Sequence, residues 1–209
     1  MITNNVSKAQ AVIALLSVVF VSHIAYKFFR KKSERSEINE VIMFSSGSTV
    51  LKRSKNSRCM ITPSMDRLLH YLNSPRHSLD VCMYLMTNMD LTNAILKLNI
   101  RGVKIRVIID ADMAYCNGSA LKRLEKHRIP VRWMKSTNLM HHKFCLIDAG
   151  TDDVRCTPVV MLGSLNWTTQ ALNGNWEAVA VTSQIKLVEQ YKIEFERLWV
   201  QFKPIVDSV

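Results

Sequence analysis

Acidic residues are scarce in this chain of 209 residues: 17 Asp and Glu stand against 28 Lys and Arg, a formal net charge of +11. That imbalance implies a polyanionic partner, either nucleic acid or an anionic membrane surface. Paired cysteines are also lacking. Cys59, Cys82, Cys116, Cys145 and Cys156 are odd in number and form no Cys-x-x-Cys pair, which fits a reducing compartment. Cys82 and Cys145 lie in apolar stretches, where a free cysteine behaves as a small hydrophobe. There is no cluster of carboxylates of the kind that holds catalytic metal ions. No metal site and no cofactor are therefore expected. The N-terminal region lacks an Ala-x-Ala cleavage site, and its dense charge follows its apolar run. Both features exclude a secretory signal peptide.

That apolar run covers residues 11–26 and includes Val12, Ile13, Leu15, Leu16, Val18, Val19, Phe20, Val21 and Ile24. Lys27, Arg30, Lys31 and Lys32 follow it. The run is near the lower limit for spanning a bilayer, and its basic flank predicts a retained transmembrane helix with the body on the cytosolic side. A short span with a basic C-terminal flank suits the outer mitochondrial membrane; the endoplasmic reticulum is the competing address. The expected organisation is an anchor and basic flank over residues 1–32 and a catalytic domain over 33–209. That length is ample for one hydrophobic core.

The densest chemistry lies in two short patches. His141, Lys143 and Asp148 are spaced as His-x-Lys-x4-Asp, and Gly163-Ser164-Leu165-Asn166 follows. Phe144 to Ile147 are apolar or β-prone, which predicts a strand over 143–148. Side chains alternate along a strand, so His141 and Lys143 share a face and His142 points the other way. A nucleophile and a cation aimed at one point suit a phosphate. A second buried strand over 159–162 delivers Gly163, which permits close backbone approach, then Ser164 and Asn166 as hydrogen-bond donors. Residues 149–162 separate the patches, and Asp152, Asp153, Arg155 and Pro158 mark an extended hairpin tip.

Elsewhere the chain alternates between strand and helix signals. Strands are expected over 41–44, 78–86, 103–110, 131–134 and 177–181, and helices over 65–72, 91–98, 119–127 and 184–202. Residues 45–63 read as a basic loop carrying Lys52, Arg53, Lys55 and Arg58. This alternation predicts an α/β domain with a mixed, mostly parallel sheet flanked by helices.

The paired patches closely resemble the phospholipase D superfamily, defined by His-x-Lys-x4-Asp with a downstream Gly-Ser-x-x-Asn. The resemblance narrows to the Zucchini / mitochondrial phospholipase D family over residues 38–205. Its carriers include Met65-Asp66-Arg67-Leu68-Leu69, Asn138-Leu139-Met140-His141-His142-Lys143-Phe144, Gly163-Ser164-Leu165-Asn166-Trp167-Thr168 and Gly174-Asn175-Trp176-Glu177. A phospholipase D-like fold is implied. So is covalent catalysis, with His141 as nucleophile, Lys143 and Asn166 on the phosphate oxygens, Ser164 donating to phosphate or orienting a neighbour, Asp148 supporting the hydrogen bonding and Glu177 orienting the histidine. The superfamily fold uses two motifs and this chain has one, so a homodimer is implied. The implied substrate is single-stranded RNA, with Lys52, Arg53, Lys55 and Arg58 tracking its phosphates and PIWI-pathway proteins as partners. The alternative is cardiolipin, cleaved to phosphatidic acid at the mitochondrial outer membrane. A non-catalytic tether for RNA granules ranks third. Many family members also carry a zinc-binding Cys/His cluster before the Asp66 region. Cys59 stands there alone, and His70 and His77 further on are expected at the surface, so no zinc is expected.

Overall fold

The computed structural model describes residues 3–29, 37–46, 50–57 and 59–204. Two compact units divide the chain, residues 1–36 and 37–209.

The first unit contains helix α1, Thr3–Phe29. Val12, Leu15, Leu16, Val19 and Phe20 are all exposed on it. Two serines hide their hydroxyls: Ser17 Oγ donates to the Ile13 carbonyl at 2.6 Å and Ser22 Oγ to the Val18 carbonyl at 2.7 Å. Such back-bonding removes polar groups from an otherwise apolar surface. Among the described residues no helix is long and apolar enough to cross a membrane, so the expected transmembrane helix is not met by the described part of α1. The basic residues Arg30, Lys31 and Lys32 lie outside the described residues.

The second unit is built on an eight-stranded sheet. Its strands are β1 (Asn39–Phe44), β2 (Ser78–Met83), β3 (Lys104–Ile109), β4 (Val131–Trp133), β5 (Lys143–Ile147), β6 (Val159–Gly163), β7 (Glu177–Thr182) and β8 (Lys203–Pro204), in the order β1-β7-β6-β5-β2-β3-β4-β8. The sheet is mixed, as expected, but not mostly parallel. Only β2–β3 and β3–β4 run parallel; the other adjacent pairs are antiparallel. The reason lies in the connections. A parallel pair needs a long crossover, usually helical. Helix α3 (Met89–Ile100) supplies one, and the segment carrying α4 (Ala111–Ala114) and α5 (Leu121–Lys126) supplies the other. From β5 to β7 the chain doubles back on itself, with only α6 (Thr169–Asn173) between β6 and β7.

Local chemistry sets the helix starts. In α2 (Pro63–Leu72), Thr62 accepts the Met65 N–H at 3.2 Å and Pro63 occupies the first turn, where its missing N–H costs nothing. In α3, the Asn88 side chain caps Asp90 and Leu91, so the helix starts two residues before the expected Leu91. Gly102 follows its end at φ +83°, as a helix stop requires.

The central strands are buried on both faces. Cys145 and Ile147 of β5 join a core with Leu68, Leu72, Leu91 and Ile95 of α2 and α3. Phe144 and Leu146 join a second core with Val188, Phe195 and Leu198 of α7 (Ile185–Gln201). Alternation along β5 thus assigns each residue to a side of the sheet. Lys143 falls on the α2/α3 side and His142 on the α7 side.

Candidate active site

The residues before β5 are held at two points. The buried carboxylate of Asp110, at the end of β3, accepts the Met140 N–H at 3.0 Å. On the other side the Tyr84 N–H, just past β2, donates to the His142 carbonyl at 2.9 Å. His141 lies between these anchors, with its side chain exposed.

Lys143 and His141 meet as alternation requires. Lys143 Nζ lies 3.2 Å from both ring nitrogens of His141 and donates to its carbonyl at 3.0 Å. An ammonium carries donors only, so a ring nitrogen that accepts from it must be unprotonated. Burial pulls the Lys143 pKa down, while the charge of Glu177 pulls it up. The Tyr84 ring packs against His141 with centroids 4.7 Å apart, and Lys143 Nζ sits 5.3 Å from the same ring. His142 faces away, 3.4 Å from Glu194 on α7 and edge-on to Phe144.

The second patch is delivered by β6 and closed by β7. Gly163 lies so close to β7 that an added Cβ would meet the Ala178 carbonyl oxygen at 2.0 Å. No larger residue fits without moving the strands. Ser164 Oγ donates to Glu177 Oε2 and accepts the Ala178 N–H at 3.2 Å. The other Glu177 oxygen accepts from Asn175 Nδ2 at 2.9 Å. The Asn166 side-chain oxygen is buried with no hydrogen-bond partner among the described residues. Its flanking residues are fixed: Leu165 is buried, and Trp167 bridges to Met86 and accepts the Thr87 and Asn88 N–H groups at 2.9 and 2.8 Å. An amide held in place with an unsatisfied end departs from the usual pairing of buried polar groups.

Asp148 is not beside His141. It lies at the opposite end of β5, buried, at φ 50°. Its carboxylate accepts the backbone N–H groups of Arg76, His77 and Ser78 at 3.0, 2.7 and 2.9 Å. It straps the turn entering β2 to the end of β5, which is a structural task.

The basic loop is only partly free. Lys52 Nζ lies 2.7 Å from Asp66 Oδ2, and the other Asp66 oxygen accepts from Ser54 and Asn56. These donors, Lys52 first, hold the Asp66 carboxyl well below the usual carboxylate range. Arg53 and Lys55 are exposed, whereas Arg58 lies outside the described residues. Cys59 is exposed, and so is His70, as expected. His77 is also exposed, but it has company: Asp153 and Cys156 of the tip between β5 and β6 bring ligand-capable atoms to within 4.8 Å of it and of each other. Neither residue stood out in the sequence as a partner of His77. Tyr84, Asp110 and Asn175 also escaped the sequence reading as parts of the active site. Tyr84 directly follows β2, and the sequence there does not say which strand will lie beside it.

His141 and Lys143 at the entry to β5, the Ser164–Glu177 pair where β6 ends and β7 begins, and the unsatisfied Asn166 amide make up a candidate phosphate-binding site on a mixed α/β sheet. Comparison with known proteins agrees. Residues 68–199 match the family described as "Cardiolipin synthase, PLD-like domain". A Drosophila melanogaster protein named mitochondrial cardiolipin hydrolase is 31% identical over 90% of this chain and 87% of its own length. A Xenopus laevis protein of the same name is 35% identical over 85% of this chain and 84% of its own. The crystal structure of Nuc, a phospholipase D family member from Salmonella typhimurium, shares the fold with a TM-score of 0.63 at 22% identity, over 80% of this chain and 98% of that one. The chain belongs to the mitochondrial cardiolipin hydrolase (Zucchini) family of the phospholipase D superfamily.

Proposed function

We propose that this protein is a metal-independent, single-strand-specific endoribonuclease of PIWI-interacting RNA biogenesis and transposon silencing. His141 attacks phosphorus and expels one alcohol, forming a phosphohistidine. A second His141, from the partner in a homodimer, protonates the leaving oxygen and then activates water. Lys143 and Asn166 stabilise the charge on the phosphoryl oxygens, with the Asn166 amide turned to present its donor end. Glu177 acts through Ser164 and on the charge of Lys143.

The observation that carries the chemistry is the Lys143 ammonium 3.2 Å from the His141 ring: nucleophile and cation already address one point. The RNA reading is supported by charge: the chain carries a formal net charge of +11, and the exposed Arg53 and Lys55 suit the phosphates of a polymer. The second reading, hydrolysis of cardiolipin to phosphatidic acid, is favoured by the names of the relatives. Under either reading the exposed apolar face of α1 attaches the protein to the mitochondrial outer membrane, with the catalytic unit in the cytosol.

Purified full-length protein, assayed with chelator present on single-stranded RNA, single-stranded DNA and cardiolipin vesicles, separates the readings. RNA and DNA should both be cut, leaving 3′-hydroxyl and 5′-monophosphate ends, because the 2′-hydroxyl takes no part. Phosphatidic acid release with intact RNA would establish the lipid reading instead. A 2′,3′-cyclic phosphate would rule out the phosphohistidine route.

A further inference from the structure

The end of β5 remote from His141 holds a second constellation. His77 Nε2, an Asp153 carboxylate oxygen and Cys156 Sγ lie within 4.8 Å of one another, and the first two are 3.0 Å apart. They come from two segments: His77 from the turn entering β2, Asp153 and Cys156 from the hairpin tip between β5 and β6. Hydrogen bonds hold each in place. The His77 N–H is held by buried Asp148 at 2.7 Å. The Cys156 N–H donates to the Asp153 carbonyl at 3.0 Å, closing a turn that leaves Cys156 4% exposed. Arg155 donates to both Asp153 carboxylate oxygens, at 2.9 Å each.

We propose that His77, Asp153 and Cys156 bind a zinc-class divalent ion that clips the hairpin tip to the entry of β2. Three protein ligands plus a water complete a tetrahedral shell, and a mixed nitrogen, oxygen and sulfur set suits a borderline-soft ion. Bonds of about 2.0–2.3 Å place tetrahedral ligand atoms roughly 3.3–3.8 Å apart. The widest pair therefore closes by about an ångström, a side-chain adjustment. On binding, the Cys156 thiol proton passes to solvent and a sulfur–metal bond forms. His77 donates its Nε2 lone pair and keeps its proton on Nδ1. Asp153 gives one oxygen, the other stays with Arg155, and one water remains on the ion. Nothing is oxidised or reduced. This site is separate from the loop before Asp66, where the family resemblance pointed to a zinc cluster. Its ion takes no part in chemistry at His141.

Cobalt(II) tests the proposal on full-length protein stripped with chelator. One Co²⁺ per chain should bind, with a near-ultraviolet thiolate-to-cobalt band that Zn²⁺ displaces. Cys156→Ser should abolish the band, and His77→Ala should weaken binding by about tenfold or more. A Cys59→Ser, Cys116→Ser double variant should keep both band and stoichiometry. Zn²⁺ should raise the unfolding midpoint of the unsubstituted protein and not that of His77→Ala. Because His77 is exposed and its backbone serves Asp148 unaided, His77→Ala decides the matter even if Cys156→Ser does not fold. Absence of stoichiometric Co²⁺, or a band that survives Cys156→Ser or follows Cys59 instead, would overturn the proposal.

Discussion

The motif His-x-Lys-x4-Asp straddles β5, and its two ends are built differently. Before the first residue of the strand, the exposed His141 ring meets the side chains of Lys143 and Tyr84. After the last, the carboxylate of buried Asp148 accepts three backbone N–H groups. Removing a group that side chains share leaves the scaffold intact. Removing a buried, charged acceptor from three backbone donors does not. One motif therefore contains both an exposed end, where the proposed chemistry lies, and a strap, and a five-residue strand keeps them apart.

The largest effect should come from the reactive end. His141→Ala should lower turnover by about 10³-fold or more. Its stability should stay within about 0.5 kcal/mol of the parent, as for other exposed positions. Substantial turnover in a clean preparation would remove His141 from the chemistry. The strap predicts the reverse pattern. Asp148→Ala should cost about 3 kcal/mol of stability, read from urea midpoints, while molecules that remain folded keep most of their turnover. An unchanged midpoint with lost activity would place Asp148 in the chemistry and erase the contrast.

Gly163→Ala tests whether the second patch depends on the close approach of β6 and β7. Strand displacement should cost about 1–3 kcal/mol and slow turnover by shifting Ser164 against Glu177. A neutral result in both assays would mean that the two strands separate freely. The smallest effect concerns pH at Asp66, away from both ends of β5. Its folded pKa is depressed, so its contribution is present above the usual carboxylate range and is lost as pH falls toward the folded value. Melting temperatures of the parent and Asp66→Asn should differ at pH 7 and converge in acid. A constant gap down to pH 2 would show that the charge of Asp66 is not what matters.

Features that repeat locally were legible in the sequence. Alternation from 143 to 147 assigned His141, His142 and Lys143 to their faces, and Gly102 marked the end of α3. The hairpin between the two patches was foreseen, with its second strand, β6, over the expected residues. What was missed depends on partners far along the chain. The direction of β2 against β5 decides that Tyr84 meets His141, and no residue near either one encodes it. Lys52 read as a free cation because Asp66, which holds it, belongs to the next helix. His77 read as a lone surface residue because its neighbours Asp153 and Cys156 arrive from a hairpin tip 76 residues away.

The place of β1 has a consequence for synthesis. Its neighbour in the sheet is β7, and Asn39 meets Thr182 across a separation of 143 residues. At 5–20 residues per second, a ribosome needs roughly 7–30 s to make that stretch. Throughout that time the first strand of the catalytic unit waits with Val41 and Met43 on one face, Ile42 and Phe44 on the other, and no edge to join. Non-local pairing of this kind folds slowly, and an unpaired apolar strand attracts other chains. Holding such chains apart on a surface while they are made would protect the nascent strand from its own copies.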